Sequence, residues 1–301
     1  MFDIISFGSA TIDIFVETGL KEKGKFMAYP VGSKIMVKNL RFDTGGGGTN
    51  TAVAFARFGL KTGYIGKLDS GIGGKQVLEL LKKEKITFLG TIDKNSKSVG
   101  GYSIILDSKE NDRTVLSYKG VNEKINLSDI KKEKTKWLYL SSFLGTSFET
   151  QKKFAKEMHK KGVKIAFNPS EYLIKKKNLN EILKITEILI LNNEEAKILT
   201  KNKNLLKGLK NLGPKIVVIT NKNKTTYAYN GKKKYSIIPH KVKVVERTGA
   251  GDAFASGFVA GQITKKSIPE SLKLALSESE SVIKYFGTKN KLLKRKLINN
   301  S

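Results

Sequence analysis

The sequence predicts a doubly wound α/β fold: a mostly parallel sheet with helices on both faces, and a small β-sheet lid. Three observations carry this. Apolar, β-rich runs alternate with helical patterns along nearly all of the 301 residues. No repeat, proline-rich linker or low-complexity block divides them, so residues 1–301 read as a single domain. Two stretches, about 12–40 and 99–118, break the alternation with strands joined by turn-rich loops and no helix between them.

In chain order, the opening MFDIISFGSATIDIF has no basic residue ahead of its apolar run. Ile4–Phe7 therefore reads as a first buried strand and not as a signal peptide. Further strands are expected at Thr62–Ile65, Trp137–Leu140, Lys164–Phe167, Ile188–Leu191 and Ile216–Thr220. Helical patterns fall at Asn50–Phe58, Lys75–Lys83, Phe148–Lys161, Glu194–Leu199, Leu205–Leu212, Asp252–Gly261 and Pro269–Tyr285. The 99–118 stretch reads as a hairpin turning at Ser108–Asp112. Inserted strands of this kind suit a lid over a substrate cleft; an ordinary antiparallel extension is the alternative.

Composition excludes several chemistries. With no cysteine there is no disulfide, thiolate metal site or cysteine nucleophile, and with only His159 and His240 there is no multi-histidine metal site. No apolar run approaches the ~18–20 residues of a membrane span, and the expected compartment is the cytoplasm. The formal charge of +29 suggests nucleic acid or an anionic membrane. Yet only five of the 56 basic residues are Arg (Arg41, Arg57, Arg113, Arg247 and Arg295), and readers of nucleic acid favour the bidentate guanidinium. Lysine spread along the chain with Ile and Asn fits a compositional bias better, with no specific nucleic-acid or membrane partner. The run Lys289–Lys296 (KNKLLKRK) is the best candidate for a basic patch and otherwise reads as a solvated terminus.

Neither common nucleotide-binding loop is present. Gly66-Lys67 has Lys61 where a P-loop needs its first glycine, Gly74-Lys75 has Asp69 there, and no G-x-G-x-x-G follows the first strand. The informative segment is Thr248-Gly249-Ala250-Gly251-Asp252, where an apolar stretch meets a small-residue helix. Residues without bulk let an anion approach backbone N–H groups at a helix start, where the dipole also favours negative charge. A carboxylate there would repel a bound phosphate unless it accepts a proton from an attacking hydroxyl; the alternative is a helix-capping Asp after a tight turn. Gly45–Gly48 and Asn50 form a second glycine-rich entry to a helix, either a hinge or a seat for a polyhydroxylated ligand. Asp13 interrupts an otherwise apolar strand.

Together these segments resemble the ribokinase-like carbohydrate kinases, or phosphofructokinase-B family, from Ile4 to about Gly287. The T-G-A-G-D and F-x-x-G motifs are Thr248–Asp252 and Phe254–Gly257. G-G-x-x-x-N is Gly45–Asn50, G-x-x-x-x-D is Gly8–Asp13, and N-x-x-E is Asn192–Glu195. The resemblance implies ATP and Mg2+ as cofactors and Asp252 as general base, with the amides of Gly249, Ala250 and Gly251 as anion hole. It implies that Asp13, Gly45, Gly46 and Asn50 hold the acceptor, that Thr220, Lys222, Thr248 and Gly287 contact the nucleotide, and that Asn192 and Glu195 orient Mg2+ mostly through water. It also implies a homodimer through the lid.

Three departures stand out. Glu246-Arg247 replace the family's Asp-Thr, which leaves Glu246 as the residue for a monovalent cation such as K+. Lys222 replaces a glycine after Thr220, and Asp69 takes another glycine position. A phosphorylated acceptor would need cleft cations, for which Arg113 and Lys38 are candidates.

The expected activity is transfer of the γ-phosphoryl group to an alcohol of a sugar or nucleoside. A phosphofructokinase-type sugar-phosphate kinase is the alternative, and a non-catalytic polyanion-binding protein on the same fold is the rival from another class.

Overall fold

Both faces of a parallel strand are covered by helices, so such strands are apolar along their whole length; the runs found above behave this way. A computed structural model describes residues 1–24, 26–108 and 113–294. Its strands are β1 (Phe2–Phe7), β2 (Thr11–Glu17), β3 (Asn39–Gly45), β4 (Thr62–Ile65), β5 (Lys67–Asp69), β6 (Thr87–Phe88), β7 (Thr91–Asp93), β8 (Gly101–Asp107), β9 (Arg113–Tyr118), β10 (Thr135–Ser141), β11 (Lys164–Asn168), β12 (Thr186–Asn192), β13 (Ile216–Asn221), β14 (Lys224–Tyr229) and β15 (Lys234–Ile237). The helices are α1 (Gly47–Arg57), α2 (Ile72–Lys83), α3 (Gly145–Lys160), α4 (Glu171–Lys176), α5 (Asn180–Lys184), α6 (Asn193–Leu199), α7 (Leu205–Asn211), α8 (Ala250–Ile263) and α9 (Ile268–Ile283).

The expected helices exist, but several begin up to a turn earlier than the apolar periodicity. Their first turns hold Gly47-Gly48, Gly73-Gly74 and Gly145, which carry no apolar signal. The edge hairpin β14–β15 was not expected. β14 alternates half-buried with buried residues and β15 half-buried with exposed ones; β14 pairs antiparallel with β13, and β15 with β14.

The large sheet runs β15-β14-β13-β12-β11-β10-β1-β4-β6, parallel from β6 to β13. Neighbouring residues on each strand enter opposite cores. Ile5, Leu138 and Leu189 pack with α3, α5 and α7, whereas Ile4, Tyr139 and Ile188 pack with α1, α8 and α9. Helix α8 is buried from Ala253 to Gly261. At Gly257 a Cβ would lie 2.7 Å from the Ala275 backbone of α9, so glycine permits that close approach.

The two irregular stretches form a separate four-stranded sheet, β3-β2-β8-β9. Its strands reach Gly45 at one end of the first stretch, beyond the expected limit at 40. β8 and β9 pair antiparallel from Tyr102–Tyr118 to Asp107–Arg113, and most of the turn expected at Ser108–Asp112 lies outside the described residues, as do residues 295 and 296 of the basic run. Among the described residues no helix is long and apolar enough to cross a membrane.

Glu278 of α9 is fully buried; its Oε2 accepts from the Leu293 N–H at 2.8 Å, and Oε1 has no partner among the described residues. Burial pushes its pKa from 4.5 up to about 8, against smaller lowering effects of Leu293 and Arg57. The native carboxyl therefore keeps a proton that the unfolded chain has lost, and stability falls as pH rises from 4.5 through about 8. Glu278→Gln is expected to remove a loss on the order of a few kcal/mol across that window. Urea unfolding from pH 5 to 9 checks this; an unchanged slope in the variant would assign the pH dependence elsewhere.

Candidate active site

From β1 the chain builds outward to β4 and β6 on one side, and from β10 outward to β15 on the other. A sheet that reverses its order in this way opens a crevice beyond the carboxyl ends of the two central strands. Gly8 follows β1 and Ser141 ends β10; a Cβ on Gly8 would sit 1.8 Å from Ser141 Oγ and 2.7 Å from Gly48 Cα. The glycine-rich start of α1 thus lies directly over the switch. The Ser141 and Tyr139 hydroxyls are buried there without hydrogen-bond partners among the described residues.

The start of α8 enters the same crevice. Gly249 caps it in the left-handed region with φ 84°, and a Cβ there would press 2.9 Å from the Thr288 carbonyl oxygen. Among the described residues nothing accepts from the Gly249 or Gly251 N–H groups, and the space around Gly251 is open. The Ala250 N–H instead turns back to the Arg247 carbonyl at 3.3 Å. That corrects the expected set of three free amides: closing the turn before the helix engages the middle one.

Asp252 sits in the first turn of α8, half-buried, and its Oδ2 accepts from Asn50 Nδ2 at 2.8 Å. Burial pushes its pKa up, the Asn50 hydrogen bond and the Lys289 charge pull it down, and Asp13 raises it. The Asp252 charge in turn adds to the burial that holds the Tyr139 hydroxyl well above its usual pKa. Asp13, on the small sheet, is buried and accepts from Thr11 Oγ1 at 2.8 Å. Burial raises its pKa and Asp43 adds to this, while Thr11, Lys289 and Ser103 oppose it. Gly45 is glycine because any Cβ would overlap the Asp13 carboxyl, at 1.9 Å from Oδ2. Gly46 starts α1 at φ 95°, with no room for a Cβ beside the Ser9 carbonyl.

Lys289 was missed. Expected in a solvated basic tail, it is only 5% exposed. Its ammonium donates to Asn50 Oδ1 at 2.9 Å and to the Thr44 carbonyl. Burial lowers its pKa, and Asp43, Asp13 and Asp252 oppose that. Nothing in a lysine-rich sequence distinguishes this one. Gly287, expected on the nucleotide side, lies instead against Asp43 and Asn290, because the segment after α9 folds under the small sheet. There Phe286 meets Phe15 edge-on at 4.6 Å and lies under Arg41 at 4.5 Å.

Arg113 is likewise not at the acceptor seat. Its guanidinium pairs with the buried Glu246, whose Oε1 also accepts from the Thr248 N–H at 2.8 Å and Oγ1 at 2.7 Å. Glu246, expected to serve a monovalent cation, thus holds a cation of the chain itself, and Thr248 is turned toward it. Lys38 packs across Gly19.

The remaining expected residues lie at the ends of β12 and β13, where Asn192 and Thr220 are register partners. Thr220 Oγ1 donates to the Leu191 carbonyl at 3.3 Å. Lys222 follows at φ 47°, a conformation that explains why a glycine suits this turn, and its charge helps lower the pKa of Glu194, after the larger effects of Lys197 and Asn193. Asn192 and Glu195 form a reciprocal capping box at the start of α6, with 2.9 and 2.8 Å bonds. Burial raises the Glu195 pKa, and backbone bonds from Asn192 and Glu171 oppose it. With its carboxylate so engaged, Glu195 fits Mg2+ through water and not by direct ligation. Among the described residues there is no cluster of three or more metal-ligating side chains.

Residues 1–295 match the model of the pfkB family carbohydrate kinases. An uncharacterized sugar kinase of Archaeoglobus fulgidus is 27% identical over 80% of this chain and 98% of its own. A ribokinase of Lactococcus lactis is 27% identical over 85% of this chain and 84% of its own. The fold matches that of an adenosine kinase from Sinorhizobium meliloti with a TM-score of 0.83 at 17% identity, covering 99% of each chain.

The pairing of β9 with the loop before α8 is testable by a double-mutant cycle. Arg113→Met is expected to cost about 1–3 kcal/mol by leaving Glu246 buried without its cation, less than for a fully buried pair because 29% of the Arg113 side chain stays exposed. Adding Glu246→Gln should recover part of that loss in urea unfolding; strictly additive losses would mean the two residues are not coupled.

Proposed function

Because this chain belongs to the pfkB family of carbohydrate kinases, we propose that Asp252 is the general base in transfer of the γ-phosphoryl group of ATP to an alcohol of a sugar or nucleoside. The chain is a kinase of that broad class, which leaves no place for the non-catalytic polyanion-binding reading. The observation that carries the assignment is a carboxylate aimed by Asn50 in the first turn of α8, next to the open N–H of Gly251.

In this reading the acceptor hydroxyl approaches Asp252, whose burial makes it a better proton acceptor than an exposed carboxylate. The hydroxyl oxygen bonds to the γ-phosphorus as the bond from that phosphorus to the β,γ-bridging oxygen breaks and ADP leaves, while the hydroxyl proton passes to Asp252. Charge on the moving phosphoryl group meets the Gly249 and Gly251 amides and the helix dipole; one such donor is worth roughly 10²–10³-fold in rate. Asp13, Gly45, Gly46 and Asn50 line the acceptor seat. Thr220 and Lys222 flank the nucleotide side, with Thr248 supporting the α8 turn through Glu246. Mg2+ bound with ATP supplies charge neutralisation on the phosphates; Asn192 and Glu195 would hold it through water. The four strands of the small sheet act as the lid, and the proposed compartment is the cytoplasm.

Charge at the seat bears on the acceptor. Asp13, Asp43 and Asp252 all act on the single ammonium of Lys289, and Arg113 is engaged by Glu246. A surplus of carboxylates favours an unphosphorylated sugar or nucleoside over a sugar phosphate.

We further propose that a second copy of the chain covers the outer face of the lid. Register places Phe42, Ile14, Ile104 and Leu116 in one row across all four strands, with Phe42 62% and Leu116 53% exposed. The opposite face carries Asp13, Asp43 and Ser103 toward the cleft.

Asp252→Asn is expected to abolish ADP release while ATP binding and thermal stability persist. A panel of free sugars, nucleosides and sugar phosphates in the same assay tests the acceptor class; a sugar phosphate as the best acceptor would reverse the charge argument. Phe42→Asp is expected to halve the mass seen by light scattering, and an unchanged mass would place any dimer elsewhere.

A further inference from the structure

We propose that Lys289 is a positioning residue for phosphoryl transfer, one that acts through Asn50 to aim the Asp252 carboxylate. The inference rests on Asp252 as the base and adds a residue that the motifs do not contain.

The Asn50 amide links Lys289 to Asp252. Its two ends differ only in hydrogen-bonding sense, so an isolated amide serves a carboxylate in one orientation and fails in the other. An ammonium is a donor with no acceptor capacity. Lys289 Nζ donates to one end at 2.9 Å and so requires it to be the oxygen, which also accepts from Thr288 Oγ1 at 3.0 Å. The nitrogen must then face the other way, where it donates to Asp252 Oδ2 at 2.8 Å. A rotated amide would set an NH2 group against the ammonium and an oxygen against the carboxylate.

Lys289 is itself held in place. Arg57 Nη1 donates to its carbonyl at 2.6 Å, the Thr44 carbonyl accepts from its ammonium, and 5% of the residue is exposed. The charged groups around it come from every side: Asp13 and Asp43 from β2 and β3, Asp252 from α8, and Arg57 from α1. Asp252 faces Lys289, Asn50, Asp13 and Tyr139. Arg57 is tied to Glu84 through Nε and Nη2, so Lys289 is the cation placed to offset the acids of the acceptor seat. Its charge holds the Asp252 pKa below where burial alone would put it.

The test is the pH profile of kcat/KM for the acceptor at saturating ATP, with two neutral variants. Lys289→Met removes both the donor and the charge; activity is expected to fall roughly tenfold or more, a fraction of the 10²–10⁴ that a placed general base contributes. The acid limb of its profile moves to higher pH, because the carboxylate loses the cation that favoured its charged form. Lys289→Gln keeps an N–H donor for Asn50 but adds an acceptor and removes the charge, so its limb moves as well while its plateau falls less than that of Lys289→Met. In Lys289→Ala, methylammonium or ethylammonium is expected to restore activity. A merely structural lysine would alter thermal stability and leave the limb in place; an unmoved limb in both neutral variants, or no amine rescue, overturns the proposal. Turnover in Asp252→Asn would sink the base assignment itself, whereas an inactive Asp252→Asn beside an unmoved limb sinks only the role of Lys289.

Discussion

A carboxylate placed at a helix start that is also the proposed landing site for phosphate is the constraint on which the rest of the site depends. The dipole and open amides of α8 draw in negative charge, and Asp252 supplies negative charge at the same spot. Two such groups coexist only if the carboxylate is turned aside and its charge partly offset. Asn50 does the first through a 2.8 Å bond, and Lys289 does the second through space. Burial works against both by favouring the neutral acid. A base of this kind is a balance of opposed effects and not a property of one residue.

The topology explains why distant segments can strike that balance. Asp13 arrives on β2, the strand after β1, the Gly45–Asn50 segment from the small sheet into α1, and Asp252 in the first turn of α8. All meet at the carboxyl ends of β1 and β10, where the sheet order reverses. Close approach there demands small residues: Gly8 against Ser141 and Gly48, and Gly45 against the Asp13 carboxyl. The glycines that look like a flexible hinge in the sequence are sites where backbone meets backbone or carboxylate, and the crowding leaves them little freedom.

Those same steric demands made the fold and much of the site legible. Apolar runs became two-sided strands, and the Gly–Asn and Gly–Asp segments fell at helix starts beside one another, because each pattern reports a local requirement of the backbone. What the sequence hid was pairing across long separations. Arg113 and Glu246 are 133 residues apart, and each alone suggested a ligand, phosphate for one and a monovalent cation for the other. Asn192 and Glu195 carried a capping signal at the spacing of a reciprocal box, yet the resemblance gave them to a metal; in the fold they bond to each other first.

Lys289 was hidden for a different reason. The chain has 51 lysines and five arginines, a balance that flattens any signal from one of them. Most lysines are exposed, as their hydration requires, and burying one without partners would neutralise it. Lys289 is buried among Asp13, Asp43 and Asp252, three acids contributed by β2, β3 and α8. The acids that make the seat suitable for hydroxyl groups are therefore the groups that let a lysine remain in it. Arg113 differs: it joins the small sheet to the body and offsets one buried carboxylate beside the α8 turn, whereas Lys289 stands among the groups proposed to react. Net charge describes the surface of this protein, and the chemistry proposed for it turns on a cation that the surface count conceals.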